Sequence, residues 1–128
     1  MLSKTQEYKR FLWVHAINFY PFSQWSTVLR VKKKRIYIHR NEVIDAIEIF
    51  DGERRRFYSY TYLVEGKKGW VPYIRWDNFQ QQPHIDRYDE SGALLEQSPS
   101  PEKELHEIEH LVRIFRRNLA AMPLEDLR

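Results

Sequence analysis

Cysteine is absent from this 128-residue chain, so a disulfide framework and any thiolate-held metal are excluded, and a metal would need His, Asp or Glu ligands. Glycine occurs only four times. No G-x-x-x-x-G-K-[ST], G-x-G-x-x-G or G-x-S-x-G occurs, which removes phosphate-cradling loops and nucleophile elbows. Apolar runs long enough to cross a bilayer are missing, and the opening MLSKTQEYKR is too polar for a secretory leader. The expectation is a soluble, cytoplasmic protein with no membrane association and no cofactor.

What is there is globular. A 42% hydrophobic and 15% aromatic composition supplies the burial that disordered chains lack, and the length suits a single domain over residues 1–128. The balance of 21 basic and 18 acidic residues gives only +3, too little to indicate nucleic-acid binding by itself. The basic residues are clustered, however, as Lys32, Lys33, Lys34 and Arg35, as Arg54, Arg55 and Arg56, and as Arg116 and Arg117. Such runs are either solvated turns and strand ends or a phosphate-contacting surface.

Residues 1–25 read as a cover segment dense in aromatics, with a weak helical pattern from Lys4 to Asn18 halted by Pro21. From residue 26 to 97 the pattern is extended. Ser26 to Lys32 and Arg35 to His39 read as two strands with the lysines between them as a turn. Val43 to Phe50 carries apolar residues on both sides, which predicts a central strand. Asp51-Gly52 signals a hairpin, with a type I′ turn expected. Arg54 to Val64 places Tyr58, Tyr60 and Tyr62 on one face, which suits either cross-strand packing or a platform for stacking bases. Trp70, Pro72, Ile74 and Trp76 share one side of the next strand, opposite Val71, Tyr73, Arg75 and Asp77. A run from His84 to Tyr88 pairs with it across Asn78 to Pro83, and Ala93 to Glu96 adds a short strand.

A helix is expected over residues 100–120, with Ser100 as N-cap and Pro101 at its first position. Leu105, Ile108, Leu111, Val112, Phe115 and Leu119 form its apolar stripe. Leu124 to Arg128 reads as a tail. The fold class is therefore α+β: an antiparallel β-meander of five to seven strands with a C-terminal amphipathic helix packed on one face.

Two patterns carry chemistry. His106-Glu107-Ile108-Glu109-His110 fits H-E-x-x-H, in which two histidines hold zinc and Glu107 acts as general base. At helical spacing, His106 and His110 project about 130° to 170° away from the apolar stripe, beside arginines, and the short tail supplies no clear third ligand. A solvated helix face explains the match better than a zinc peptidase.

The second pattern is the central hairpin. If this hairpin acts on RNA, as the family resemblance of its residues implies, His84 would serve as base or acid, Arg75 or Arg87 would neutralise the phosphorane charge, and Asp77 or Asp86 would fix the histidine tautomer. The bland reading has Arg75 and Asp77 as a salt bridge, Asp77-Asn78 as a turn former and His84 as a satisfied surface residue.

RWDN followed by PHIDRYD resembles the TumE-type toxins of prokaryotic toxin–antitoxin pairs and related small prokaryotic proteins. In those, an aromatic strand ends in R-[YW]-D-N and leads through a histidine-bearing loop into another strand. The matching positions are Arg75, Trp76, Asp77, Asn78, His84 and, more loosely, Asp86, within a stretch from Ile36 to about Gln97. Family members often carry more histidine in the loop, where this chain has Gln80-Gln81-Gln82-Pro83. The resemblance implies a small protein that binds or cleaves RNA and pairs with a cognate antitoxin. The competing expectation is a non-catalytic binding or assembly module, such as a homodimer formed through a strand edge or the N-terminal aromatics.

Overall fold

The computed structural model describes residues 29–128, so the cover segment expected over residues 1–25 lies outside the described residues. Six strands follow one another in the sheet in chain order, each antiparallel to the next. They are β1 (Leu29–His39), β2 (Glu42–Asp51), β3 (Arg54–Gly66), β4 (Gly69–Asp77), β5 (His84–Tyr88) and β6 (Leu94–Pro99). Helix α1 (Leu105–Phe115) is followed by 3-10 turns over Arg116–Ala120 and Leu124–Leu127. This is the α+β meander that the alternation predicts.

The lysines do not form a turn. Lys32, Lys33, Lys34 and Arg35 lie within the continuous strand β1, in register with Glu48, Ile47, Ala46 and Asp45. Cross-strand acids and the apolar floor of β2 outweigh the local turn preference of the lysines, and an edge strand of the described sheet so charged resists pairing with another chain. The break comes later, at Arg40-Asn41, where Asn41 adopts a positive φ of 64°. At Asp51-Gly52 the hairpin forms, but only Gly52, at φ 63°, has positive φ. A type I′ turn needs positive φ at both central residues, so that geometry is not adopted.

One face of the sheet is the core. Ile36, Ile44, Ala46, Tyr58, Tyr60, Tyr62, Ile74, Trp76 and Ile85 meet Ile108, Val112 and Leu119 beneath α1. Each fully buried apolar side chain contributes about 1.5–3 kcal/mol. The tyrosine stripe is therefore packing and not a platform for bases, since Tyr58, Tyr60 and Tyr62 are all buried. Burial pushes Tyr58 up to about 12. The tyrosine hydroxyls are satisfied: Tyr58 accepts from the Lys103 N–H at 3.2 Å, Tyr60 donates to Glu48 at 2.8 Å, and Tyr62 donates to Glu42.

β2 is central, as its two-sided pattern predicts, with Val43, Ile47 and Ile49 buried on the opposite face. Along β4 the alternation slips at a bulge, because Tyr62 pairs with Ile74 while Leu63 pairs with Pro72. Tyr73 consequently turns to the core and meets Tyr62 edge-on at 5.7 Å. Trp70 and Pro72 move to the face that carries Arg75 and Asp77.

β6 runs on to Pro99, opposite His84, three residues past the strand end expected at Glu96. The helix starts at Leu105 and not at Ser100. Arg55, largely buried, holds Glu102 and Glu104 at 3.2 and 3.1 Å, and the Lys103 N–H is bonded to Tyr58. These contacts hold residues 101–104 out of the helix, against the local N-cap signal. Arg116, at φ 45°, ends α1 and bonds Glu42. The tail is not free: Leu124 and Leu127 are buried, and the Leu127 carbonyl accepts from Trp76 Nε1 at 3.4 Å.

Candidate functional site

The RWDN sequence alternates between the two faces. Trp76 enters the core, while Arg75 and Asp77 point to the face away from α1. Asn78 then serves as a latch to β3: its Oδ1 accepts the Tyr58 N–H at 2.9 Å and its Nδ2 donates to the Arg56 carbonyl at 3.0 Å. The loop to β5 is tight, with Gln80 and Gln81 both in the left-handed region at φ 60° and 59°. Asp77 caps it by accepting the Phe79 N–H at 2.9 Å.

This loop sets Asp77 directly opposite His84 and Arg75 directly opposite Asp86. Because side chains alternate along β5, His84 and Asp86 share the face of Arg75 and Asp77. His84 Nε2 lies 3.1 Å from Asp77 Oδ1 and 3.4 Å from Asp86 Oδ2. Its Nδ1 faces the Gln82 carbonyl at 2.7 Å. Gln97 Nε2 donates to Asp86 Oδ1 at 2.7 Å from β6, and the Tyr88 hydroxyl reaches Asp86 Oδ2 at 3.4 Å. The Arg75 guanidinium lies 5.3 Å from the centre of the Tyr88 ring and donates from Nε to Thr61 Oγ1 at 3.1 Å.

The electrostatics follow from these contacts. Burial pulls the His84 pKa down, but hydrogen bonds to Asp77 and Asp86, the Asp77 charge and the Gln82 carbonyl outweigh it and push the imidazole up to about 10. Burial raises Asp86, yet His84, Gln97 and Arg75 together hold it below the usual carboxylate range. The direction of the shift favours the charged imidazole while the carboxylates alone face it, and each ring nitrogen has an oxygen partner, Nε2 the two carboxylates and Nδ1 the Gln82 carbonyl.

Arg87 is separated from the cluster. It faces the core side, donating to the Leu119 and Met122 carbonyls and pairing with Glu96 at 3.1 Å. Strand parity dictates this, since Arg87 alternates with Asp86. The basic runs are also divided. Arg35 makes a two-pronged bond with Asp45 at 2.7 and 2.9 Å, and Arg56 approaches Asp51 at 3.6 Å. Arg55 ties down the segment before α1, whereas Arg54, Lys32, Lys33 and Lys34 are exposed. His106, Glu107 and His110 are exposed on α1, and among the described residues the group of metal-competent side chains that converges is Asp77, His84 and Asp86.

Sequence reasoning missed Tyr88, Gln97 and a cavity of about 480 Å³ on the same face, lined by Lys33, Arg35, Asp45, Leu63, Trp70, Pro72 and Arg75, of which Arg75 stands opposite Asp86. Its volume falls in the range of roughly 300–1,000 Å³ usual for ligand pockets. The period-two pattern could have found Tyr88, two residues beyond Asp86. The cavity had no local signal, because it depends on the β4 bulge that brings Trp70 and Pro72 to this face.

Fold and site together define a small antiparallel meander with a His–carboxylate cluster, largely buried, on the sheet face away from α1. Comparison of the chain with protein-family models, with curated proteins and with solved structures finds no match. The likeness to TumE-type toxins therefore rests on the motif residues alone.

Proposed function

We propose that this protein is a toxin–antitoxin-type RNA-directed protein, acting in the cytoplasm, that binds single-stranded RNA across the face of Arg75 and cleaves it at the Asp77–His84–Asp86 cluster. The position of Arg75 carries the reading. It borders the cavity that contains Trp70 and also stands opposite Asp86 in the cluster. A base stacked near Trp70 would put its phosphate against Arg75, with Lys33 adding positive charge while Arg35 stays paired with Asp45. Arg75 then stabilises the charge that develops on the phosphorane. His84 would take the 2′-hydroxyl proton or give one to the leaving oxygen, and Arg87, on the opposite face of the sheet, takes no part.

The test is controlled expression in a bacterial host of wild type, His84→Ala and Arg75→Ala, following growth and total RNA, with RNA binding by the purified proteins. Growth arrest and RNA fragmentation are expected for wild type alone. Arg75→Ala should weaken binding and flatten the log–log salt dependence by about 0.7, the loss of one single-strand phosphate contact. RNA that survives intact at arresting levels of wild type, with no binding in vitro, refutes the proposal.

One observation favours a second reading, a non-catalytic assembly module that pairs with a second copy or an antitoxin. β6 is an edge of the described sheet, and Leu94 and Leu95 on it are exposed at 55% and 61%. An exposed apolar edge invites strand addition. A Leu95→Lys variant that shifts the wild type from dimer to monomer in light scattering, without changing RNA cleavage, would assign the edge to assembly.

A further inference from the structure

We propose that Asp77, His84 and Asp86 form a binding site for one divalent transition-metal ion, with zinc as its best-suited occupant. Their candidate ligand atoms all lie within 4.8 Å of one another, on two adjacent strands and not on a mobile tail. That spread suits donors that surround a single cation at about 2.0–2.2 Å each.

The groups behind the ligands are arranged as supports. His84 turns Nδ1 to the Gln82 carbonyl at 2.7 Å, which fixes the ring and directs Nε2 toward the carboxylates, where a bound cation would displace its proton. Metal-ligating histidines are held in this way, with the second ring nitrogen donating to a carbonyl or carboxylate. Gln97 grips Asp86 Oδ1 at 2.7 Å and leaves Oδ2 on the His84 side. The Phe79 N–H orients Asp77 at 2.9 Å.

A separate observation points to a ligand. Ser59 is fully buried, its hydroxyl has no hydrogen-bond partner, and it sits in register with Asp77 on the same sheet face. Buried hydroxyls without partners cost about 1–3 kcal/mol, so one left across from the buried Asp77 carboxylate calls for a missing neighbour. A water or hydroxide on the metal would supply it. One imidazole and two carboxylates suit zinc better than magnesium, which prefers oxygen donors alone, and three protein ligands leave a position open for water or a phosphate oxygen.

The ion would also supply what the metal-free cluster lacks for cleavage, a Lewis acid beside Arg75. Metal binding can nevertheless be tested without RNA, so the two proposals stand or fall separately.

The experiment is titration of chelator-treated, full-length protein with Zn²⁺ by calorimetry, paired with thermal unfolding at each zinc level. Wild type should take up one equivalent and unfold at a higher temperature. Asp86→Asn and Asp77→Asn, confirmed as folded by circular dichroism, should each weaken binding at least tenfold and lose the thermal shift. A His106→Ala/His110→Ala variant should bind like wild type, which excludes the exposed helix pair as the zinc ligand. The proposal is overturned if wild type binds no zinc, if both Asn variants bind as wild type does, or if only the helix variant loses binding. Zinc uptake without RNA cleavage would sink the ribonuclease reading and leave the metal site intact.

Discussion

Glu42 offers the sharpest test of how this fold is held. Its carboxylate is fully buried at the start of β2 and accepts from the Tyr62 hydroxyl, from Arg116 Nε at 3.2 Å and from Arg116 Nη2, with Arg117 Nε 3.9 Å away. This one group joins the β1–β2 turn, the tyrosine stripe and the residue that ends α1. Truncating one partner of a buried charged network costs about 3–5 kcal/mol. Because Arg116 keeps some solvent, Glu42→Ala should fall at the lower end, about 3 kcal/mol. Glu42→Gln retains an oxygen for Tyr62 but loses the charge opposite the arginines, and should cost roughly 1.5 kcal/mol. With a urea slope on the order of 1.5 kcal/mol/M, the alanine variant should lower the unfolding midpoint by about 2 M.

The pH dependence has a definite sign. Burial by itself raises the Glu42 pKa, but Arg116, Tyr62 and Arg117 outweigh it and leave the carboxyl below its ordinary value of 4.5. A depressed folded pKa contributes stability that is complete above the unfolded value and is lost as pH falls through the folded one. Urea midpoints measured from neutral pH down through the carboxylate range should therefore decline in wild type, and the gap between wild type and Glu42→Gln should narrow as they do. A cost below about 1 kcal/mol for Glu42→Ala, or a gap that stays constant into acid, would refute the assigned network.

Two further outcomes follow from the hairpin. Asn78→Ala strands the buried Tyr58 N–H and the Arg56 carbonyl, and should lower stability by about 2 kcal/mol in urea unfolding, whereas Asn78→Asp keeps the acceptor and should cost less. Gln80→Gly, which relaxes a left-handed residue at φ 60°, should leave the melting temperature unchanged or raise it by up to about 1 kcal/mol equivalent.

Much of the architecture is legible from local pattern. The two-sided apolar character of Val43 to Phe50 identifies the central strand, and Asp51-Gly52 marks its hairpin. The apolar stripe from Leu105 to Leu119 names the helix face that the core receives. Within the site, the pairing of Asp77 with His84 follows from two runs and one loop. Arg87 falls outside the site because a residue adjacent to Asp86 on a strand must face the other way. At the lysine run and the helix start, cross-strand acids and buried Arg55 override the local turn and cap preferences.

The sequence by itself determined the antiparallel meander, its order of strands and the helix that covers it. Those depend on periodicity and turn chemistry, which act between near neighbours along the chain. Only the tertiary structure decided that the tyrosines are core, that Trp70 and Pro72 share a cavity with Arg75, and that Glu42 anchors Arg116 across 74 positions of sequence. Each of these depends on which face a bulge selects or on a contact between distant segments, and no window of neighbouring residues contains that information.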